Sequence, residues 1–120
     1  MKLPLLYAAA LALLCPLVSG QEIKLLASDG ASYDRFGNSV AISGTTNAIV
    51  GAYFDDDNGT NSGSAYLFDT TTGAQIAKLL PSDGAVTGGF GNSVAISGTT
   101  ALVGSILDDD NGSNSGSTYL

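Results

Sequence analysis

After its first twenty residues the chain alternates apolar with small or polar positions in short runs, each closed by turn formers. A period of two places successive side chains on opposite faces of a strand. The first half holds four such runs, at residues 22–26, 36–43, 47–53 and 64–68. In the second run Val40 and Ile42 share one face and Ser39, Ala41 and Ser43 the other. Between the runs stand Ser28-Asp29-Gly30, Ser43-Gly44-Thr45-Thr46, Asp57-Asn58-Gly59 and Thr70 to Gly73. Gly, Asn, Asp and Ser favour turns because they adopt left-handed backbone angles or bond their own main chain. Beyond residue 20 no segment keeps a helical period. The pattern predicts antiparallel β structure.

The same pattern then returns. Lys24-Leu25-Leu26-Ala27-Ser28-Asp29-Gly30-Ala31 recurs as Lys78-Leu79-Leu80-Pro81-Ser82-Asp83-Gly84-Ala85. The eleven residues Phe36 to Thr46 recur unchanged as Phe90 to Thr100, and Asp55-Asp56-Asp57-Asn58-Gly59 recurs as Asp108-Asp109-Asp110-Asn111-Gly112. The spacing is about 54 residues up to Thr46 and one fewer beyond it, because Asn47 has no counterpart. Two units follow, residues 21–73 and 74–120. A unit of about 50 residues with four strands has the size of one propeller blade. Small residues such as Ala41, Gly51, Ala52 and Ala65 let such sheets stack closely.

The opening segment reads differently. Met1-Lys2 is a short basic start, residues 3–14 are an apolar run, Pro16 breaks it, and Val18-Ser19-Gly20 offers small residues for cleavage before Gln21. This is a secretory signal over residues 1–20, since spanning a bilayer takes roughly 20 apolar residues. The expected location is extracellular or at the cell surface, or the periplasm in a bacterium, with no membrane span in the mature chain. Four basic and eleven acidic residues leave a net charge of −7, which argues against nucleic acid as a partner. Histidine is absent and the one cysteine, Cys15, lies in the leader. The mature chain therefore lacks the commonest general base, a thiolate nucleophile and any disulfide, and it reads as non-catalytic.

Phe36-Gly37 followed by Val40-Ala41-Ile42, Ile49-Val50-Gly51-Ala52 and Gly63-Ser64-Ala65-Tyr66-Leu67-Phe68 resembles the FG-GAP repeat of integrin-α-type propellers. Phe90-Gly91, Leu102-Val103-Gly104-Ser105 and Gly116-Ser117-Thr118-Tyr119-Leu120 repeat the series. The resemblance implies an all-β fold of four-stranded antiparallel blades, an extracellular setting and a role in adhesion or ligand binding. Two units make an incomplete ring of about two blades. The sequence reads as part of a longer propeller or a truncated product, in which further blades or other copies must cover the blade faces. The triplet ends in Tyr53 and Ile106 where the family has proline. The calcium loop that many members carry between the FG and GAP strands is replaced by Ser43 to Asn47 and Ser97 to Thr100, with no carboxylate.

The acid of the chain is concentrated instead at Asp55-Asp56-Asp57 and Asp108-Asp109-Asp110. One reading is a solvated acidic turn built on Asn-Gly. The other is a weak calcium site held by Asp55 and Asp57 and by Asp108 and Asp110, with affinity on the order of 10⁻⁴–10⁻³ M. Calcium takes six to eight oxygen ligands, and Gly59 falls one place early for an EF-hand loop beginning at Asp55. No other cofactor is indicated. Phe36-Gly37 and Phe90-Gly91 read as structural, the ring filling a core between blades and the glycine allowing close approach. Asn58-Gly59-Thr60 and Asn111-Gly112-Ser113 match the N-glycosylation acceptor. The leading function is a secreted, non-catalytic binding or adhesion module for an extracellular protein or carbohydrate. The competing one is a structural or substrate-targeting region of a larger extracellular enzyme.

Overall fold

The computed structural model describes residues 20–84 and 86–120. The leader expected over residues 1–20 therefore lies outside the described residues, Gly20 excepted. Seven strands form two antiparallel sheets. The first contains β1 (Ser39–Ser43), β2 (Asn47–Ala52), β3 (Ser64–Asp69) and β4 (Gln75–Leu79) in that order; the second contains β5 (Phe90–Ser97), β6 (Thr100–Ser105) and β7 (Ser117–Tyr119). Each strand pairs with the next along the chain, the meander of a propeller blade. The described residues are all-β, as expected, and form two blades rather than a closed ring. No helix among them is long and apolar enough to cross a membrane.

Two strand expectations need correction. Residues 22–26 form no strand. Their counterparts in the second repeat form β4, which pairs with β3 of the first, Tyr66 opposite Lys78. The first sheet thus takes its fourth strand from the repeat that follows and straddles the boundary between residues 73 and 74. Residues 22–26 lack a preceding sheet to join among the described residues. The strand expected over 36–43 starts only at Ser39, whereas its copy starts at Phe90. The cause is the neighbouring blade. Phe90 forms a bridge with Gly63 and donates its N–H to the Ser62 carbonyl at 2.9 Å, which draws it into an extended conformation. Phe36 meets no such edge.

The core lies in two layers. Between the sheets, Ile49 and Ala65 of the first meet Phe90 and Val103 of the second, with Ala41, Leu67, Leu79, Val94 and Ile96 packed around them. On the far side of the first sheet, Val50, Ala52, Tyr66 and Phe68 are covered by Leu25, Ala27 and Phe36. Phe36 meets Tyr66 and Phe68 edge to face, and Phe90 meets Tyr119 the same way. Burying a side chain such as Phe90 contributes about 1.5–3 kcal/mol, so these few residues dominate the stability of the pair. The repeated Phe-Gly therefore plays the structural part expected of it. Gly91 has φ +91°, and a Cβ there would lie 2.2 Å from the Ser64 carbonyl oxygen. A Cβ on Gly51 would lie 2.0 Å from the Gly91 carbonyl oxygen. The two backbones touch, and only glycine fits on either side.

Candidate functional site

The loops that follow β2 and β6 begin with the three aspartates. Each loop is closed by the same five bonds. In the first, Asp57 N–H donates to Asp55 Oδ1 (2.8 Å) and Asn61 N–H to Asp56 Oδ1 (2.7 Å). The N–H groups of Gly59, Ser62 and Gly63 donate to the carbonyls of Asp56, Gly59 and Asp55. In the second, Asp110, Asn114, Gly112, Ser115 and Gly116 donate in the corresponding places. The first two aspartates of each triplet thus fold their own loop, as Asx turns do. The expectation of a solvated turn fails for Asp55 and Asp108, which are 2% and 1% exposed. Their side chains satisfy the buried main chain of the loop and so cannot point to solvent.

All four aspartates singled out in the sequence fall in two carboxylate clusters, each with a third member that local spacing does not reveal. Asp55 and Asp57 converge with Asp29, and Asp108 and Asp110 with Asp83. A tyrosine ties each cluster together. Tyr66 Oη donates toward Asp29 (2.9 Å) and Asp55 (2.7 Å), and Tyr119 Oη toward Asp83 and Asp108 (both 2.8 Å). Sequence reasoning overlooked Asp29, Asp83, both tyrosines and Lys78. The available signal was that all of them recur at fixed places in the repeat, as does Lys24, the counterpart of Lys78.

The two clusters differ in what neutralises them. In the first, the Lys78 ammonium donates to Asp29 at 2.6 Å, lies 2.8 Å from Asp55 and also bonds Asp57. It sits 5.2 Å from the Tyr66 ring centroid. The Lys78 ammonium holds Asp29 down from 3.8 to about 2. Burial pushes Asp55 up, but Lys78 and the Asp57 N–H outweigh it and the net shift is downward. Burial opposes the charge on Lys78 itself, and the three carboxylates more than offset this, raising its pKa. Burial also raises Tyr66, reinforced by the carboxylates it bonds. A divalent ion could enter here only by displacing an ammonium that already meets three carboxylates. In the second cluster no cation stands among the described residues. Asp108 is lowered by the Ser117 and Tyr119 hydroxyls, whereas Asp110 is raised by its hydrogen-bonded neighbour Asp83 and by the charge of Asp108. Three carboxylate oxygens within 4.8 Å of one another suit a hard cation or an ammonium equally.

The acceptor asparagines also differ. Asn58 donates from Nδ2 to the Pro81 carbonyl at 3.0 Å, so its amide is engaged, whereas Asn111 is exposed. The turn where the family's calcium loop would stand is the tight connection from Ser43 to Asn47, which pair with each other across β1 and β2.

No curated protein matches the chain. Residues 19–68 and 74–120, most of the chain, match the FG-GAP repeat. These stretches contain the docked Phe-Gly, the close Gly51–Gly91 approach and both aspartate loops, and the chain belongs to the FG-GAP repeat family.

Proposed function

We propose that the chain is an exported, non-catalytic module that binds an extracellular protein or carbohydrate through the loops Asp55 to Ser62 and Asp108 to Ser115. The observation that carries this reading is the identical set of five internal hydrogen bonds in each loop. Loops fixed in this way lose little conformational freedom on binding, which favours recognition. Their free side chains, Thr60, Asn111 and Ser113 among them, are polar and exposed and suit hydrogen-bonded partners. The family fold supports a binding or structural role for a propeller-type module. The absence of histidine, and of any cysteine beyond Cys15, supports a role without catalysis. The leader over residues 1–20 supports export, and the amino terminus of the secreted protein is expected at or near Gln21 by sequencing.

The test is retention on immobilised extracellular-matrix proteins and on a panel of glycans. Wild type is expected to be retained on one of them. Thr60→Arg together with Asn111→Arg should abolish retention while the far-ultraviolet spectrum stays unchanged. Retention that survives both substitutions, or none on any surface, overturns the reading.

A further inference from the structure

The two repeats are nearly the same sequence in unlike surroundings. Val94 and Ile96 of β5 are packed against the core between the sheets, while their counterparts Val40 and Ile42 are 69% and 67% exposed. In the other direction, Ile49 is fully buried and its counterpart Leu102 is 40% exposed. Ala65 is buried, whereas its counterpart Thr118 is exposed. Among the described residues the chain thus carries two open faces. One, the head, is the Val40–Ile42 side of the first sheet. The other, the tail, is the Leu102–Thr118 side of the second. The contact between the first and second sheets shows how a tail of this sequence meets a head of this sequence.

Three parts of that contact have unused counterparts. The first is the glycine socket. In the first blade Ser39 Oγ donates to the Gly91 carbonyl at 2.7 Å, over Gly51. In the second blade the corresponding Ser93 and Gly104 line an open groove of about 440 Å³ with Ser105, Gly116 and Thr118. The plug that would fit it is present at the other end of the chain. Phe36-Gly37 has the sequence of Phe90-Gly91, and Gly37 has φ +92° against +91° for Gly91. Gly37 is exposed and already holds the left-handed φ of Gly91, while Phe36 becomes extended only on meeting a neighbouring edge as Phe90 does.

The second is a sheet edge. The outer edge of β3 takes β4, but the outer edge of β7 has no strand among the described residues. Residues 22–26 correspond to residues 76–80, most of them in β4, and pair with nothing among the described residues, although Leu25 packs against its own blade much as Leu79 packs against the second. An open edge and an unpaired strand of matching sequence are the components of strand addition. The third is charge. In the register of β3 with β4, Lys78 stands opposite Tyr66 and enters the first carboxylate cluster. In the same register Lys24 would stand opposite Tyr119 and enter the cluster of Asp83, Asp108 and Asp110.

We infer that this chain associates head to tail with a second copy of itself: residues 22–26 of one copy add to β7 of another, Lys24 enters the Asp83–Asp108–Asp110 cluster, and Phe36-Gly37 plugs the Ser93–Gly104 socket. The contact is heterologous, so it extends to a filament or closes to a ring according to the rotation per copy. The second cluster is then a site for an ammonium rather than for a divalent ion.

The test uses variants that disable one end each. Lys24→Glu breaks the head, setting a carboxylate against three others. Gly104→Val fills the socket where a docking carbonyl would lie, and Thr118→Arg blocks the same face from an exposed position should the valine disturb β6. Sedimentation velocity of the chain beginning at Gln21 is expected to show association that rises with concentration. Each variant should weaken it at least about tenfold, since like charges or a filled socket oppose docking directly. Mixing Lys24→Glu, whose tail is intact, with Gly104→Val or Thr118→Arg, whose head is intact, should restore a complex that stops at two copies. Wild type that stays monomeric, association equal in all variants, or a mixture that stays monomeric overturns the proposal. So does a second cluster that takes calcium while Lys24→Glu leaves association unchanged.

Discussion

At the scale of single residues, the blade contact depends on places where nothing larger than hydrogen fits. The Gly51 position faces the Gly91 carbonyl oxygen 2.0 Å from where a Cβ would be. Gly51→Ala must therefore push the second sheet away or twist β2, and overpacking of this kind costs about 1–3 kcal/mol. Thermal unfolding should show a loss in that range, larger than for Gly98→Ala, where no atom lies within 4 Å and only the backbone angle resists. Ser62 is the opposite case. Its hydroxyl is fully buried and has no hydrogen-bond partner among the described residues. Removing an unsatisfied buried polar group is neutral or favourable. Ser62→Ala should leave the melting temperature unchanged or raise it, and a clear fall would show that the hydroxyl holds a bound water. The structural roles of Phe36-Gly37 and Phe90-Gly91 were legible in the sequence, because an aromatic beside a glycine at a repeated position has few other uses. The burial of Asp55 and Asp108 was not legible. A carboxylate that folds its own loop and one that faces water have the same neighbours in sequence.

At the scale of elements, the same argument explains what could be read and what could not. The alternation of residues 47–53 and 64–68 marks β2 and β3 closely, because both strands are interior to a sheet and most of each is buried. Residues 22–26 carry the same pattern and form no strand, because a strand exists only with a partner. The pairing of β4 with β3 joins two repeats and is invisible to a reading that treats each repeat as a unit. It is also what brings Lys78 to Asp29, Asp55 and Asp57. The Lys78 ammonium is central to this cluster, with 17% of its side chain exposed. Lys78→Met leaves three carboxylates facing one another around a nearly buried Asp55 and should cost about 2–4 kcal/mol, toward the lower end because Asp29 and Asp57 keep solvent contact. The acid response follows from the signs of the shifts. Asp29 has a folded pKa near 2 against an ordinary 3.8, so its contribution is complete above the ordinary value and is lost as pH falls toward 2. Asp110 is shifted upward by Asp83 and Asp108, so the folded state takes up its proton more readily, which offsets part of what the second cluster loses as Asp108, shifted downward by its hydroxyl partners, is protonated. Hydrogen exchange followed by mass spectrometry should show β4 losing protection between about pH 4 and pH 2 before β7 does. Equal loss in both strands would mean that Lys78 does not govern the first cluster.

At the scale of the whole molecule, two blades hold one interface between them and leave two apolar faces outside it. Repeat proteins draw much of their stability from contacts between neighbours, so a unit with few neighbours is weak. Val40 and Ile42 on one face, and Leu102 and Leu120 on the other, are exposed in this chain. Whatever covers these faces binds the folded state and not the unfolded one, so it raises stability by mass action. If the cover is another copy, the melting temperature must depend on chain concentration. A tenfold rise in concentration changes the free energy of association by at most about 1.4 kcal/mol per interface. For a domain of about 100 residues this corresponds to a rise of roughly 5–10 °C. Dilution should lower the melting temperature by that amount, and Gly104→Val should remove the dependence and melt where dilute wild type melts. The added Cβ would lie 2.3 Å from Ser93 Oγ, so that serine must turn aside; Thr118→Arg, at an exposed position, should remove the dependence in the same way and separates this local cost from the loss of docking. A concentration-independent, high and sharp transition in wild type would show that one interface and the layer flanking the first sheet suffice, and that the exposed apolar faces are tolerated without a partner.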